Sequence, residues 1–434
     1  MVTNNSNPKE FEGKKLLILG GVKLACDIVE QAHAMGAYVV VADYLENSPA
    51  KAVADEGVLI NAVDADALVE YCLANNIDGV TTGFVDILMP VCYEVCKRIG
   101  KPYYATPKML SMATNKIGFK ETCMQYDVPV PQTYFIGKEI PTEILSKIQY
   151  PVFVKPLDAS GSRGAGVCND QEELFAQFEE AVKFSGTDNA IIEDYIVGRE
   201  FLLDYIAVDG EFRLLEMFDR YSCKDRSSAM NYANISVAPS LKLDHYLETV
   251  NDKVIAMFKG LGFTDGLIFL QGHTNGDRIT FYEMGSRLGG TFYNVEQKSL
   301  GYNSIEMIVR YALSGKMVNN IDAIPHDVAK FSKPGASLNY LLKCEGKTIA
   351  KIEGRDVLDA TPSVAAVIQP KNIGDVINKD SIVDKPLFTV HYVCDNMDVL
   401  KENLEKFNQS IFAYDTEGES MLMDKIHPSD LVEY

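Results

Sequence analysis

Residues 151–167, PVFVKPLDASGSRGAGV, set Lys155 at the end of an apolar strand and follow it with glycines, serines and Arg163. Glycine lets backbone N–H groups come close to phosphate oxygens. Lys155 would add a point charge and Arg163 a planar fork. The pattern is not G-x-x-x-x-G-K-[ST], which opens a helix. Here the glycines join two strands, which makes a flap; on composition alone it reads as a flexible hairpin tip. Other residues give it company. Lys116 stands at the start of a helical stretch, where a cation is poorly placed for the dipole and an anion nearby would explain it. In AIIEDYIVGREF, residues 190–201, an apolar strand runs to Glu193, then a short connection leads to Glu200. Backbone atoms of such a connection can meet an adenine edge, and a carboxylate can accept from ribose hydroxyls; otherwise both are solvated turn residues. Gln271 and Glu283 flank an Asn-Gly turn and share a face if the loop holds an odd number of residues. Oxygen ligands on adjacent strands suit Mg²⁺ shared with phosphates. Arg287, beside Gly289-Gly290, could clamp a carboxylate or phosphoryl group.

The elements that must position these residues follow from periodicity. KLLILG, 15–20, reads as a buried strand, 22–36 as a helix stopped by Gly36, and 37–44 as a second strand. Strand, helix, strand is a right-handed parallel unit. It repeats more weakly through Leu59-Ile60, a helix over 64–75, a strand IDGVTT and a helix over 86–99. Gly20-Gly21, with Asp43 downstream, invites a dinucleotide reading. Lys23 and Ala25 break the G-x-G-x-x-G spacing, so a strand-to-helix turn is the better account. One helix is expected over 112–127, closed by VPVP. Strands dominate 150–208 and continue to LIFLQG and ITFYEMG. From 331 short strands return, with one helix over 397–407. The expected fold is α/β plus α+β: a doubly wound parallel sheet over 1–111, a second domain over 112–330, and a small strand-rich domain over 331–434.

The chain of 434 residues fits about three domains at roughly 150 residues each. Lys and Arg number 41 against 61 Asp and Glu, a formal charge of −20. That argues against a polymeric nucleic-acid footprint, which would be basic, and leaves room for a local basic pocket. The nine cysteines are scattered with no C-x-x-C, and the six histidines are dispersed, so neither a disulfide framework nor a zinc cluster is indicated. The N-terminal stretch lacks an apolar signal region, and no run approaches 18 apolar residues. A reduced cytoplasmic protein with no membrane partner is expected.

Four segments in order, TNK at 114–116, VKPLDASGSRG at 154–164, IIEDYIVGRE at 191–200 and FYEMGSRLGG at 281–290, resemble the ATP-grasp carboxylate–amine ligases. These are related to biotin carboxylase, carbamoyl-phosphate synthetase lobes, D-alanine ligase and L-amino acid ligases. The resemblance covers roughly 15–330 and makes the first domain the family's pre-ATP-grasp domain. It implies that Lys116 and Lys155 contact ATP phosphates, and that Ser160, Gly161, Ser162, Arg163 and Gly164 form a lid loop within a lid of about 150–208. Glu193, Tyr195 and Ile196 would line the adenine hinge and Glu200 would hold the ribose. Glu283 would bind Mg²⁺, with Gln271 beside it, and Arg287 would stabilise an acyl phosphate or the substrate carboxylate. The family usually has an acid where Gln271 stands and an asparagine where Gly285 stands, which bears on the metal. The implied cofactors are ATP and Mg²⁺, with Mn²⁺ as a substitute. The implied reaction joins a small carboxylate to an amine through an acyl phosphate, and a homodimer is compatible with it. The alternatives are an ATP-binding sensor with impaired metal binding and a bicarbonate-dependent carboxylase. For the second substrate, Asp43, Thr81, Thr82 and Asp86 lie at ends of N-terminal elements, and Lys224 and Arg226 lie in a polar segment, 219–232.

Overall fold

The structure is a computed structural model and describes residues 9–158, 164–222, 233–289, 292–379 and 385–432. Strands β1 (Lys15–Leu19), β2 (Tyr38–Ala42), β3 (Glu56–Val58) and β4 (Gly79–Thr81) form a parallel sheet in the order β3-β2-β1-β4. Its β1 and β2 are near-continuous apolar runs, as expected where helices cover both faces. Helix α1 (Ala25–Ala34) connects β1 to β2, α2 (Ala65–Asn75) connects β3 to β4, and α3 (Met89–Ile99) follows β4. The third strand falls at 56–58 and not at Leu59-Ile60, because Leu59 is 67% exposed and lies beyond the paired edge. Gly20 has φ +88°, and a Cβ on Gly21 would lie 2.0 Å from Ser48 Oγ. Asp43 accepts from Gly21 N at 2.6 Å and Leu45 N at 2.7 Å. The double glycine is therefore a turn tied down by Asp43.

The helix expected over 112–127 is two helices, α4 (Pro107–Thr114) and α5 (Lys116–Gln125). Asn115 leaves helical geometry at φ −98°, ψ 91°, and its side chain accepts from Gly118 N. An asparagine cap supplies an acceptor for one of the orphan N–H donors at a helix start, and so resets the helix there. Lys116 becomes the first residue of α5.

A second sheet contains β5 (Thr133–Gly137), β6 (Val152–Pro156), β7 (Gly166–Cys168) and β8 (Ala190–Asp194), in the order β5-β8-β6-β7. Helices α6 (Thr142–Leu145) and α7 (Gln171–Phe184) accompany it. The glycine-rich segment joins β6 to antiparallel β7, as its composition suggests. The unit begins at β5 and ends at β8. It thus starts earlier and stops sooner than 150–208, since the next strand, β9 (Arg199–Val208), belongs to another sheet.

Among the described residues that sheet has eight strands. They are β9, β10 (Glu211–Tyr221), β11 (Ile235–Ala238), β12 (Gly266–Asn275), β13 (Arg278–Gly285), β14 (Gly335–Leu341), β16 (Val364–Ile368) and β17 (Pro386–Val393). The order is β13-β12-β9-β10-β11-β14-β17-β16. Strands from beyond residue 331 are thus hydrogen-bonded into the sheet of the middle segment, through β11 and β14. A short pair, β15 (Ile349–Glu353) with β18 (Phe412–Asp415), stands apart. Helices α8 (Leu243–Thr249), α9 (Asn251–Gly260), α10 (Tyr293–Leu300), α11 (Ser304–Ser314), α12 (Arg355–Asp359) and α13 (Met397–Ser410) complete the fold. The one helix expected after 331 is α13, which runs three residues further; α12 is additional. Helix α11 packs on the first sheet: Ile305, Ile308, Val309 and Ala312 are buried with α1 residues Ile28 and Val29. Each of the isoleucine and valine side chains contributes about 1.5–3 kcal/mol, which binds the first and middle segments together.

Candidate active site

Three elements converge on one cleft: the start of α5, one face of the second sheet, and the β12–β13 hairpin. Strand β6 pairs with β8 so that Phe153 faces Glu193, with Lys155 two residues on and on the same side. Lys155 Nζ donates to Glu193 Oε1 at 2.5 Å. The other oxygen, Oε2, accepts from Lys120, which also reaches Thr133 Oγ1 at 2.8 Å and Pro131 O at 3.3 Å. All three charged groups are buried: Glu193 is 2% exposed, Lys120 5% and Lys155 9%. Burial alone would raise the Glu193 carboxyl, but Lys155 and Lys120 overcome it and hold the carboxyl below its ordinary value. Burial, opposed by Glu193, lowers Lys120.

Lys116 Nζ donates to Leu157 O at 3.2 Å, next to β6. Its ammonium is lowered first by burial and then by repulsion from Lys155, against attraction from Glu283, Asp158 and Glu193. Two ammoniums that repel across a cleft make a site that an anion would relieve.

On the hairpin, Gln271 lies directly opposite Glu283. The shared face does not come from the loop. Asn275 pairs with Arg278 around two residues, an even loop, which alone would set Gln271 against Tyr282. A bulge between Gln271 and Gly272 shifts the register by one and brings Glu283 into place. Glu283 is exposed to solvent. The surrounding walls raise its carboxyl by desolvation, Arg287 opposes this, Asp86 adds to it, and Lys116 and Lys155 oppose it. That set of charges places Glu283 among Arg287, Asp86, Lys116 and Lys155.

Arg287 is already engaged. Its Nε and Nη2 donate to Asp86 Oδ1 and Oδ2 at 2.5 and 3.1 Å, and Nη1 donates to Leu288 O at 2.7 Å. Its guanidinium lies 4.8 Å from the Phe269 ring centroid. The same ring explains Gly285: a Cβ there would sit 2.1 Å from Phe269 Cε1. Phe269 is 2% exposed and has little room to yield. The residue usual at this position in the resembled family, asparagine, is excluded by the phenyl ring on the neighbouring strand.

Tyr195 and Ile196 fall between β8 and β9, the crossing from the second sheet to the eight-stranded one. The Tyr195 ring stacks on Phe153 at 6.4 Å. Glu200 Oε1 accepts from Arg220 Nη1 at 2.6 Å and from Tyr282 OH at 2.5 Å. Gly164 packs against Phe184, and its carbonyl accepts from Gln177 Nε2 at 3.0 Å. Ser160, Gly161, Ser162 and Arg163, and also Lys224 and Arg226, lie outside the described residues. Of the four N-terminal candidates only Asp86 reaches the cleft. Thr82 donates to Leu19 O, Thr81 is buried, and Asp43 holds the turn. Lys120 was not among the sequence-derived candidates, although its position four residues after Lys116, on the same helical face, was a readable signal. The Glu193 side chain also differs from its expected place at an adenine hinge: both its oxygens are taken by lysines, and only its backbone borders the connection to β9.

Residues 115–319 match the family "Carbamoyl-phosphate synthase L chain, ATP binding domain". The formate-dependent phosphoribosylglycinamide formyltransferase of Sulfurisphaera tokodaii is 27% identical over 344 residues, 77% of this chain and 83% of that protein. An L-amino acid ligase from Bacillus licheniformis superposes with TM-score 0.74 at 18% identity, covering 92% of this chain and 98% of that one. The biotin carboxylase domain of Hydrogenobacter thermophilus 2-oxoglutarate carboxylase, a dimer in complex with MgADP, ADP and bicarbonate, also gives 0.74 at 18% identity, over 93% and 91% of the chains.

Proposed function

We propose, from the match of residues 115–319 to the carbamoyl-phosphate synthase ATP-binding domain, that the chain is an ATP-grasp ligase that activates a small carboxylate with ATP and passes the acyl group to an amine. The observation that carries this reading is the meeting of Lys116, Lys155, Glu283 and Arg287 at one cleft. In this reading Lys116 and Lys155 bind the polyphosphate and neutralise charge during in-line transfer. Glu193 keeps the Lys155 ammonium aimed into the cleft, because its second oxygen is fixed by Lys120. The backbone at Tyr195 and Ile196 receives the adenine, and Glu200 the ribose. The carboxylate oxygen attacks the γ-phosphorus, ADP leaves, and an amine then attacks the acyl carbon and expels phosphate. Arg287 stabilises the acyl phosphate, which requires that it exchange Asp86 for the substrate anion.

Mg²⁺ fits the hairpin as a partner of the nucleotide. Among the described residues no group of three or more His, Cys, Asp or Glu could cage a metal, but Mg²⁺ commonly uses one or two carboxylates with phosphates and waters. Glu283 and the Gln271 amide oxygen would hold it, and it would supply charge neutralisation at the ATP phosphates. Mn²⁺ would be taken by the same oxygens. A cytoplasmic setting accords with the free thiols of Cys26, Cys72, Cys92, Cys96, Cys123, Cys168 and Cys394. Among the described residues no helix is long and apolar enough to cross a membrane. A homodimer, the form named for the H. thermophilus neighbour, is checked by light scattering.

The deciding assay measures ADP and phosphate release by purified protein with Mg²⁺-ATP across a panel of amino acids and small carboxylates. Release that needs both a carboxylate and an amine is expected. ATP binding without release across the panel would instead identify a sensor, the reading that Gln271 and Gly285 favour. Release that requires bicarbonate would identify a carboxylase.

A further inference from the structure

His273 lies two residues beyond Gln271 on β12, so both point to the same side of the eight-stranded sheet. It is directly opposite Glu200 on β9, and Glu200 is directly opposite Arg220 on β10. Directly opposed residues of antiparallel strands share a face, so the three form a row across three strands. All three are half-buried, whereas their chain neighbours Gly272, Thr274, Phe201 and Tyr221 are buried. From β13, Tyr282 reaches the same row. Its hydroxyl donates to Glu200 Oε1, and its ring centroid lies 5.1 Å from that of His273. The second sheet faces the row, since Glu193 and Lys155 act electrostatically on the imidazole.

Groups in this row are left unused. Glu200 gives Oε1 to Arg220 and Tyr282, and its Oε2 accepts no hydrogen bond from the described residues. The ring nitrogens of His273 have no hydrogen-bond partner among the described residues either; the ring's contact is with Tyr282. Burial lowers the imidazole from its ordinary 6.5; Glu200 opposes this, Arg220 adds to it, Glu193 opposes it and Lys155 adds to it. The ring is therefore neutral at neutral pH, with one N–H donor and one bare acceptor nitrogen. A pair of cations would suit a phosphate. A carboxylate oxygen beside a neutral imidazole suits two adjacent hydroxyls instead: the carboxylate accepts from one, and the ring accepts from or donates to the other. Opposed residues on neighbouring strands have Cβ atoms about 4.5–5.5 Å apart, close enough for both side chains to reach one vicinal diol.

We propose that His273 and Glu200 together read the cis-diol of the nucleotide's ribose, Glu200 holding one hydroxyl and His273 the other. This rests on the nucleotide reading of the cleft and adds to it a residue and a selectivity. A ribonucleotide is preferred over either deoxy form, because an analogue without a hydroxyl leaves a polar group of the row without its partner.

The test titrates the full chain with ADP, 2′-deoxy-ADP and 3′-deoxy-ADP in excess Mg²⁺ by calorimetry. The parent should bind ADP about tenfold more tightly than each deoxy analogue. His273→Phe keeps a planar ring against Tyr282 and removes the nitrogens. It should bind ADP about tenfold more weakly than the parent does, and no more tightly than the analogue that lacks the hydroxyl held by His273. Its preference over the other analogue, which reports Glu200, should remain. His273→Leu is the second variant, in case the first folds poorly. His273→Gln, which keeps a donor and an acceptor, should recover part of the lost preference. A parent that binds the three nucleotides alike, a His273→Phe or His273→Leu chain that keeps both preferences, or a His273→Gln chain that recovers none overturns the contact between His273 and a hydroxyl. The readings fail separately. Absence of ADP binding removes the nucleotide site and the diol contact together. Selective ADP binding without ADP release from ATP with any carboxylate and amine removes the ligase and keeps His273; release by a chain that binds all three nucleotides alike does the reverse.

Discussion

Lys155 and Glu193 show how a binding group is made from a structural one. Glu193 neutralises two lysines, of which Lys120 also donates to Thr133 Oγ1 and Pro131 O. Removing one partner of a buried pair costs about 3–5 kcal/mol, because an uncompensated charge stays behind. Glu193→Gln should therefore lower stability by about that much, read in urea unfolding. Lys155→Ala should cost less stability, since Glu193 keeps Lys120. It should weaken an ATP analogue by about 10–100-fold in calorimetric titration, the size of a charge-assisted hydrogen bond. Unchanged affinity would remove Lys155 from the nucleotide site. Gln271→Glu tests the metal at the same scale. It sets two carboxylates opposite each other on adjacent strands, a repulsion of about 0.2–1 kcal/mol. The thermal midpoint should fall without metal and recover with Mg²⁺; recovery equal to that of the parent would show that position 271 does not touch the ion.

The β12–β13 hairpin is the element that assembles the chemistry, and it does so by an irregularity. Its two-residue turn would pair Gln271 with Tyr282, and the bulge moves Glu283 opposite instead. Tyr282 is then free to donate to Glu200 on the far side. The same hairpin explains Gly285, whose missing side chain leaves room for the Phe269 ring, on which Arg287 rests. Gly285→Asn should destabilise the protein by about 1–3 kcal/mol, the usual cost of overpacking. Phe269→Leu should restore part of that loss in the double variant, measured by chemical denaturation. Additive losses would show that the ring is not the obstacle. The Arg287–Asp86 pair ties this hairpin to the start of α3 in the first sheet's territory, but Asp86 is largely exposed, with 60% of its side-chain surface free. Such a pair contributes at most about 1 kcal/mol.

For the molecule as a whole, charge and acidity act at different depths. The −20 charge is a surface property, while the acids that matter for pH are buried. Asp204 of β9, Glu216 of β10 and Glu296 of α10 meet beside one void. Asp204 and Glu296 are pushed up to about 8 and about 7 from ordinary values of 3.8 and 4.5, in both cases first by burial. Between those ordinary values and the raised ones the folded protein binds more protons than the unfolded chain, so stability falls as pH rises. Below pH 6.5 His391, buried and lowered to about 3, opposes this, because the unfolded chain then binds the extra proton. The thermal midpoint should therefore decline between pH 6.5 and 8, and Glu216→Gln should flatten the decline. A rising midpoint over that range would contradict the buried cluster. Much was legible beforehand: the first strand–helix–strand unit, the glycine flap between two strands, and Lys116 opening a helix all follow from local periodicity, capping and composition. The division at 330 was less so, since β14 and β17 complete a sheet begun by β9, and such pairing depends on long-range hydrogen bonds that no window of sequence contains. The residue types that could hold a nucleotide were determined by the sequence itself. That Lys120 shares Glu193, that a bulge sets Glu283 against Gln271, and that Asp204, Glu216 and Glu296 close on one void were decided only in three dimensions, because each joins residues from separate elements whose meeting is set by packing.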